Sequence, residues 1–445
     1  MIQADLLLIG GGPANIAFAV SLEESGCDEK LGNVIMLERE DSISWHKNML
    51  IDNAVSQVSF LKDLVTLRNP TSKFSFLNYL HKNGRLEEFV NLMSFFPYRR
   101  EISDYLQWVA NNLTKAKVHY SKAVCSVEPI VDGNGKIEGW LVGTSDGTLY
   151  RANRLIFGAG RDASIPPVFA EVQSERLIHS SQFLSKIAHF PTASVKKVAV
   201  IGGAQSSAEV YSACLERFPT AEVSMIMRSV GLTTYGGSKF INKIYQSNYI
   251  DVFYHAPDEV KRDVLEEMHF TNYSGVSATT MESLYRFHYL QELNGENRAR
   301  MIIQSELMSA HTKQDKISLV WKNKISGAAT EDDFDLVILG TGYKNMMPKL
   351  LQSALSRVNV SKPEITRAYR VKLPTTRDCS LHIQGISEAT HGISDTLLSV
   401  IATRAQEILV DIVESANQAS LENSEYPQHG HLGRYKHPGE SIFTS

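Results

Sequence analysis

The sequence predicts an α/β fold made of two Rossmann-like dinucleotide-binding domains, one inserted into the other. Three observations carry this. One predicted strand runs into the turn Gly10-Gly11-Gly12-Pro13-Ala14-Asn15, and another into Gly202-Gly203-Ala204-Gln205-Ser206-Ser207. Each turn is followed by a helix and a further strand, the βαβ unit that cradles a pyrophosphate. The strands after the turns end differently, on Glu38 and on Arg228. An acid suits ribose hydroxyls and an arginine suits a 2′-phosphate, so two different dinucleotides are expected in one chain. That pairing points to a flavin reduced by a nicotinamide, with NADPH favoured over NADH.

Residues 5–9 read as a buried parallel strand, 15–24 as its helix and 33–37 as the next strand. Gly10 and Gly12 permit the tight turn and the close approach of phosphates; Asn15 stands in place of the third glycine. Residues 102–113 form an amphipathic helix through Tyr105, Leu106, Trp108 and Val109. Residues 138–157 read as an antiparallel excursion, with turn signals at Asp132-Gly133-Asn134-Gly135 and Asp146-Gly147. A strand then ends in Gly158-Ala159-Gly160. The second βαβ unit places strands at 198–201 and 223–227 around a helix at 206–216. In this turn Ala204 and Ser207 stand where glycines are usual. Residues 258–310 are helical by pattern, 334–343 give another strand and glycine turn, and 396–415 a last helix. The domain reading is 1–194 with 331–415 for FAD, 195–330 for NADPH, and a mobile polar tail at 416–445.

Composition removes several classes. The 445 residues carry a net charge of −4, which argues against nucleic acid as a partner. Cys27, Cys125, Cys214 and Cys379 show no metal or redox spacing, so neither a metal site nor a disulfide framework is expected. The apolar run 6–22 is broken by Gly10 to Pro13 and by Asn15, which rules out a membrane span. With no basic leader at the N-terminus, a cytoplasmic enzyme is expected.

The segment from Ser59 to Ser72, with Lys62-Asp63-Leu64-Val65-Thr66 and Arg68-Asn69-Pro70-Thr71, is more specific than the fold. So are Trp45-His46, Gln205-Ser206-Ser207-Ala208-Glu209, Met227-Arg228, Phe240-Ile241-Asn242, Thr271-Asn272-Tyr273-Ser274 and His391-Gly392-Ile393-Ser394-Asp395-Thr396-Leu397-Leu398-Ser399. Together these resemble the microbial N-hydroxylating flavin monooxygenases that act on ornithine or lysine in siderophore biosynthesis. The resemblance implies FAD and NADPH as cofactors, O2 as cosubstrate and hydroxylation of a side-chain amine through a C4a-hydroperoxyflavin. It also implies that copies of the chain often associate as tetramers. By motif position it assigns the substrate carboxylate to Lys62, the amino-acid end to Asn242 with Ser399, and the junction of nicotinamide, flavin and amine to Asn272. Gln57, Trp45 and His46 fall near the flavin, and Arg99 loosely near the cofactors. Gly10, Gly12, Pro13, Asn15 and Glu38 go to FAD, and Gly202, Gln205, Ser206 and Arg228 to NADPH. The loop 231–239 departs from the family's acidic pattern.

Each assignment has a plainer alternative. Lys62 could cap a helix or pair with Asp63, Asn242 and Asn272 could serve turns, Trp45 could be core, and Arg228 a solvated surface charge. His179 reads as structural. The Leu67-to-Pro70 and Asn272-to-Ser274 segments look like the ornithine branch, so L-ornithine is the expected substrate, with L-lysine second and a diamine third. A flavin disulfide reductase lacks its cysteine pair here. A Baeyer–Villiger enzyme lacks its own signature, and a nucleotide sensor would bind FAD without amine-dependent turnover.

Overall fold

The computed structural model describes residues 1–235 and 238–422, without the side chains of residues 28, 29, 270, 272 and 417–422. Its first sheet has seven strands, in the order Ala116–His119, Val34–Leu37, Ile2–Ile9, Leu149–Phe157, Ile137–Thr144, Val124–Val131, with Ser380–Ile383 also paired to Leu149–Phe157. Val34–Leu37 is buried along its whole length, as a parallel strand covered on both faces must be. Leu149–Phe157 serves two purposes. One edge runs parallel to Ile2–Ile9 along its length, while the other pairs antiparallel with Ile137–Thr144 in its first half and parallel with Ser380–Ile383 in its second. On one face, helix Pro13–Ser25 packs against the long last helix, Ile401–Glu422.

The second sheet is all parallel, in the order Ala299–Ile302, Glu222–Ile226, Lys197–Ile201, Leu336–Leu339, Leu177–His179. Two of its strands, Leu177–His179 and Leu336–Leu339, lie outside residues 195–330. A third sheet, Ser305–Lys313, Lys316–Asn323 and Ala329–Phe334, is antiparallel. Its Ile317, Leu319, Trp321 and Phe334 cover Ala199, Ile201, Val337 and Leu339 of the second sheet.

Two expectations about elements are corrected. The region 258–310 is helical only through Asp258–Asn272 and Ala278–Leu293, and is strand from Ala299 onward. The last helix begins at Ile401, after short 3-10 turns at Ile393–Thr396 and Leu398–Val400, and runs to Glu422. Residues 423–445 of the expected tail lie outside the described residues.

Candidate active site

The two glycine turns are built alike. Gly10 has φ +96° and Gly202 φ +134°, backbone that only glycine takes readily. Helix Pro13–Ser25 starts at Gly12 and helix Gln205–Arg217 at Ala204, neither with a side-chain cap. The first-turn amides therefore stay available for an anion, with the helix dipole behind them. The absent third glycines also share a solution. Asn15, fully buried, donates from Nδ2 to the carbonyls of Ile9 at 3.0 Å and Gly10 at 2.8 Å. A Cβ on Gly158, at the end of the neighbouring strand, would stand 2.6 Å from Asn15 Oδ1. Ser207 donates to the Gly340 carbonyl at 3.0 Å, and a Cβ on Gly340 would stand 2.1 Å from its Oγ. The room a third glycine would leave is supplied instead by Gly158 and Gly340.

Around the first turn, Glu38 Oε2 accepts from the Gly11 amide at 2.8 Å and Oε1 from the Glu40 amide at 2.9 Å. Its carboxylate is thus held at the turn. Around the second, a Cβ on Gly203 would meet Met227 and Ser229 at 3.1–3.5 Å, which places the exposed Arg228 between them at the mouth of the turn. Arg228 has no hydrogen bond or ion pair among the described residues. Ser206 is half-buried at the second position of the helix. Gln205 is spent on the protein. Its Nε2 donates to Glu209 Oε1 at 2.8 Å and Thr280 Oγ1 at 3.1 Å, and its Oε1 accepts from the Ser277 amide at 2.7 Å. Asn15 and Gln205, both expected at a cofactor, direct their side-chain amides to holding the turns.

Trp45 and His46, Arg161, and Tyr343 follow the ends of the strands Val34–Leu37, Leu149–Phe157 and Leu336–Leu339. His46, in left-handed backbone with φ 55°, sets its ring 4.8 Å from Trp45, which is half-buried and packs against the core. Solvent reaches the His46 ring, yet protein surrounds it on most sides. That enclosure, with the Arg99 and Arg161 charges, holds its pKa down at about 4. Arg161, just past the Gly158–Gly160 turn, stands over the rings of Tyr273 at 5.7 Å and Tyr343 at 6.0 Å. Tyr273 donates to Glu388, which also accepts from Asn345 Nδ2 at 2.6 Å. Burial raises the Glu388 pKa, and burial together with the Glu388 charge pushes the Tyr273 phenol up to about 12. His179 is structural, bonding Ser181 and the Gly342 carbonyl at 3.0 Å.

The expected substrate residues converge on one segment, 393–399. Lys62 Nζ donates to Ser399 Oγ at 3.3 Å, and no carboxylate pairs with it among the described residues. Asp63 does not pair with Lys62. Its Oδ1 takes the Val65 and Thr66 amides and its Oδ2 the Thr66 hydroxyl and Phe76 amide, at 2.6–2.9 Å. Lys62 also borders a small cavity of about 30 Å³ shared with Pro13, Val58, Leu398 and Ile401. The Ile241–Tyr245 turn bearing Asn242, which is exposed, packs against Ile393–Thr396, as does helix Asp258–Asn272. The Asn272 side chain lies outside the described residues. Gln57 is exposed in the loop that leads to Lys62. In the loop 231–239, Thr233–Thr234 pairs parallel with Gly275–Val276, and residues 236 and 237 lie outside the described residues.

Sequence reasoning missed Arg161, Gln384, Glu388 and Arg404. Only Arg404 had a usable signal. It falls on the buried stripe of Ile401, Ala405, Ile408 and Ile412, and a charge on an apolar stripe demands a buried partner.

Comparison with known proteins identifies the family. The family described as L-lysine 6-monooxygenase/L-ornithine 5-monooxygenase matches residues 3–345. An L-ornithine N(5)-monooxygenase of Pseudomonas aeruginosa is 36% identical over 411 residues, which cover 91% of this chain and 92% of the relative. The solved ornithine hydroxylase of that organism superposes with a TM-score of 0.85 at 34% identity, covering 93% of this chain and all of the other. The ornithine N-hydroxylase of Kutzneria sp. 744, solved with reduced FAD, NADP+ and L-ornithine, gives 0.84 at 34% identity, with 93% and 99% covered. Among the described residues no helix is long and apolar enough to cross a membrane. The chain belongs to the L-lysine 6-monooxygenase/L-ornithine 5-monooxygenase family.

Proposed function

We propose that the protein is an FAD- and NADPH-dependent monooxygenase that converts L-ornithine to N5-hydroxyornithine for hydroxamate siderophore biosynthesis. The observation that carries the substrate class is the Lys62 ammonium, half-buried, hydrogen-bonded to Ser399 and left without a carboxylate. A partly desolvated cation with one neutral partner is ready for an anion, and an amino acid brings one in its carboxylate. A diamine would leave that charge unanswered. Asn242 and Ser399 complete the amino-acid end in this reading, and Asn272 and Gln57 lie at the cofactor junction.

The first turn takes FAD. Gly10, Gly12 and Pro13 let the diphosphate approach the free amides, Glu38 faces the ribose, and Trp45 and His46 lie toward the flavin. The second turn takes NADPH, with Gly202 and Ser206 at the diphosphate and Arg228 at the 2′-phosphate. The nicotinamide domain then includes the strands Leu177–His179 and Leu336–Leu339 of its sheet. When bound, the reduced flavin activates O2 and supplies the oxygen atom. The chain's own part is placement. Lys62 fixes one end of the substrate, so chain length sets whether the amine reaches the reacting centre. The amine must arrive neutral, against a reference pKa of about 10.4. One methylene separates lysine from ornithine, worth about 1–3 kcal/mol of discrimination. The ornithine relatives at 34–36% identity favour ornithine. Dependence on NADPH and four free cysteines fit a reducing cytoplasm.

The test is hydroxylamine formation from ornithine, lysine and putrescine with NADPH and with NADH. Ornithine with NADPH is expected to lead. Product from none of the amines would overturn the reading, and a lead for lysine or putrescine would overturn the choice of substrate.

A further inference from the structure

An unbroken chain of buried side chains links the first glycine turn to the segment that carries Ser399. Asn15 holds the Ile9 and Gly10 carbonyls through Nδ2, and its Oδ1 accepts from Gln384 Nε2 at 2.8 Å. Gln384 Oε1 accepts from Arg404 Nε at 3.1 Å. Arg404 Nη1 donates to Asp395 Oδ1 at 2.9 Å and to the Asp395 carbonyl at 2.6 Å. Asp395 Oδ2 accepts from the Ser387 amide at 2.6 Å. Asn15, Gln384, Arg404 and Asp395 are each no more than 2% exposed.

Stability alone does not explain this arrangement. A buried ion pair is often no better than well-packed apolar residues of the same size, because both charges lose their hydration. What the chain supplies is direction. Arg404 has a planar fork whose Nε and Nη1 answer to different partners, so the position of Gln384 and the position of Asp395 constrain each other. The plane is held as well. The guanidinium stands 5.7 Å over the Tyr369 ring, and Tyr369 stacks on His391 at 4.0 Å. Asp395 lies next to Thr396, which touches Tyr273, and close before Ser399, the partner of Lys62.

We propose that Arg404 is a positioning residue that couples occupancy of the first glycine turn to the geometry of the carboxylate anchor. This rests on the reading that the turn holds FAD and that Lys62 with Ser399 holds the carboxylate of ornithine. A dinucleotide settling on the turn fixes the Ile9 and Gly10 carbonyls that Asn15 holds, and that constraint passes through Gln384 and Arg404 to Asp395 and the anchor. Linkage then requires that ornithine tighten FAD by the factor by which FAD tightens ornithine.

The experiment is a titration of FAD, followed by flavin fluorescence, with and without saturating ornithine. It uses the full chain as wild type, Arg404→Met and Gln384→Met. Ornithine is expected to tighten FAD by about fivefold or more in the wild type. The factor is expected to fall below about twofold in both variants. Gln384→Met keeps the Arg404–Asp395 pair, so it reports even if Arg404→Met does not fold. A merely structural role lowers the melting temperature but leaves the factor unchanged, and that result overturns the proposal. So does a wild type that binds ornithine without any linkage. A wild type that does not bind ornithine at all overturns the functional reading, and the coupling falls with it.

Discussion

Arg99 Nη2 lies 2.5 Å from Glu209 Oε1, and this buried pair joins helix Arg99–Asn111, beside the first sheet, to the helix that leaves the second glycine turn. Glu209 also accepts from Gln205, so one carboxylate ties helix Arg99–Asn111 to the second turn region. Its Oε2 has no hydrogen-bond partner among the described residues. Glu209→Ala leaves the Arg99 charge buried and unanswered, which costs about 3–5 kcal/mol. The double variant Glu209→Leu with Arg99→Met removes both charges and is expected to recover much of that loss. Urea unfolding of the three proteins checks this; a single-variant loss under about 1 kcal/mol would show the pair to be dispensable.

Burial lowers the Lys62 pKa, and no anion among the described residues offsets it. The charged form therefore begins to disappear at a lower pH than for an ordinary lysine. Ornithine KM is expected to rise on that alkaline side, while kcat rises with the neutral amine fraction. Lys62→Ala removes a charge-assisted contact worth about 1.5–3 kcal/mol, so KM should increase roughly 10- to 150-fold, with more NADPH lost to free peroxide. Steady-state kinetics across pH read both effects. An unchanged ornithine KM in Lys62→Ala would remove Lys62 from the anchor.

How much of this site could be read from the residues depends on the type of constraint. The turns were legible because a tight strand-to-helix turn needs glycine at Gly10 and Gly202, whatever surrounds it. Lys62 and Ser399 were legible only through motif resemblance, since nothing local brings residues so far apart into contact. Residues 299–310 were misread because Arg300, Met301, Gln304, Glu306, Leu307 and Met308 are good helix formers. Pairing with Glu222–Ile226 and Lys316–Asn323 overrides that preference. The Asn15–Gln384–Arg404–Asp395 chain has no sequence period at all. Its members share only a location.

Burial also governs the acid limb of stability. His391 is buried, and its pKa is held at about 4 against an ordinary 6.5. Below pH 6.5 the unfolded chain takes up a proton that the folded one refuses. The contribution of His391 is therefore whole above pH 6.5 and is lost as the pH falls toward 4. His382 and His179, also lowered by burial, act in the same sense. The urea midpoint is expected to fall from pH 7 to pH 5, and less steeply in His391→Gln. A midpoint that stays level or rises over that interval would contradict the assignment.

Gly158 and Asn15 give the sharpest check on why the first turn departs from three glycines. In Gly158→Ala the new Cβ meets the Asn15 amide at 2.6–2.8 Å, closer than Cβ contacts allow. Asn15 is pinned by the Ile9 and Gly10 carbonyls and by Gln384, so it cannot step aside without releasing the turn. The substitution is expected to cost about 1–3 kcal/mol, the usual range for overpacking, and to weaken FAD retention. Asn15→Gly loses the bonds that brace the turn and should also destabilise. The double variant returns to the usual glycine arrangement, with room for the Cβ of residue 158 where the Asn15 side chain had been. Its loss should therefore fall short of the sum of the two single losses by about 1 kcal/mol or more, the coupling expected of residues in contact. Urea unfolding with flavin release measured alongside closes the cycle. Strict additivity would mean that Asn15 and Gly158 do not share the space the structure gives them.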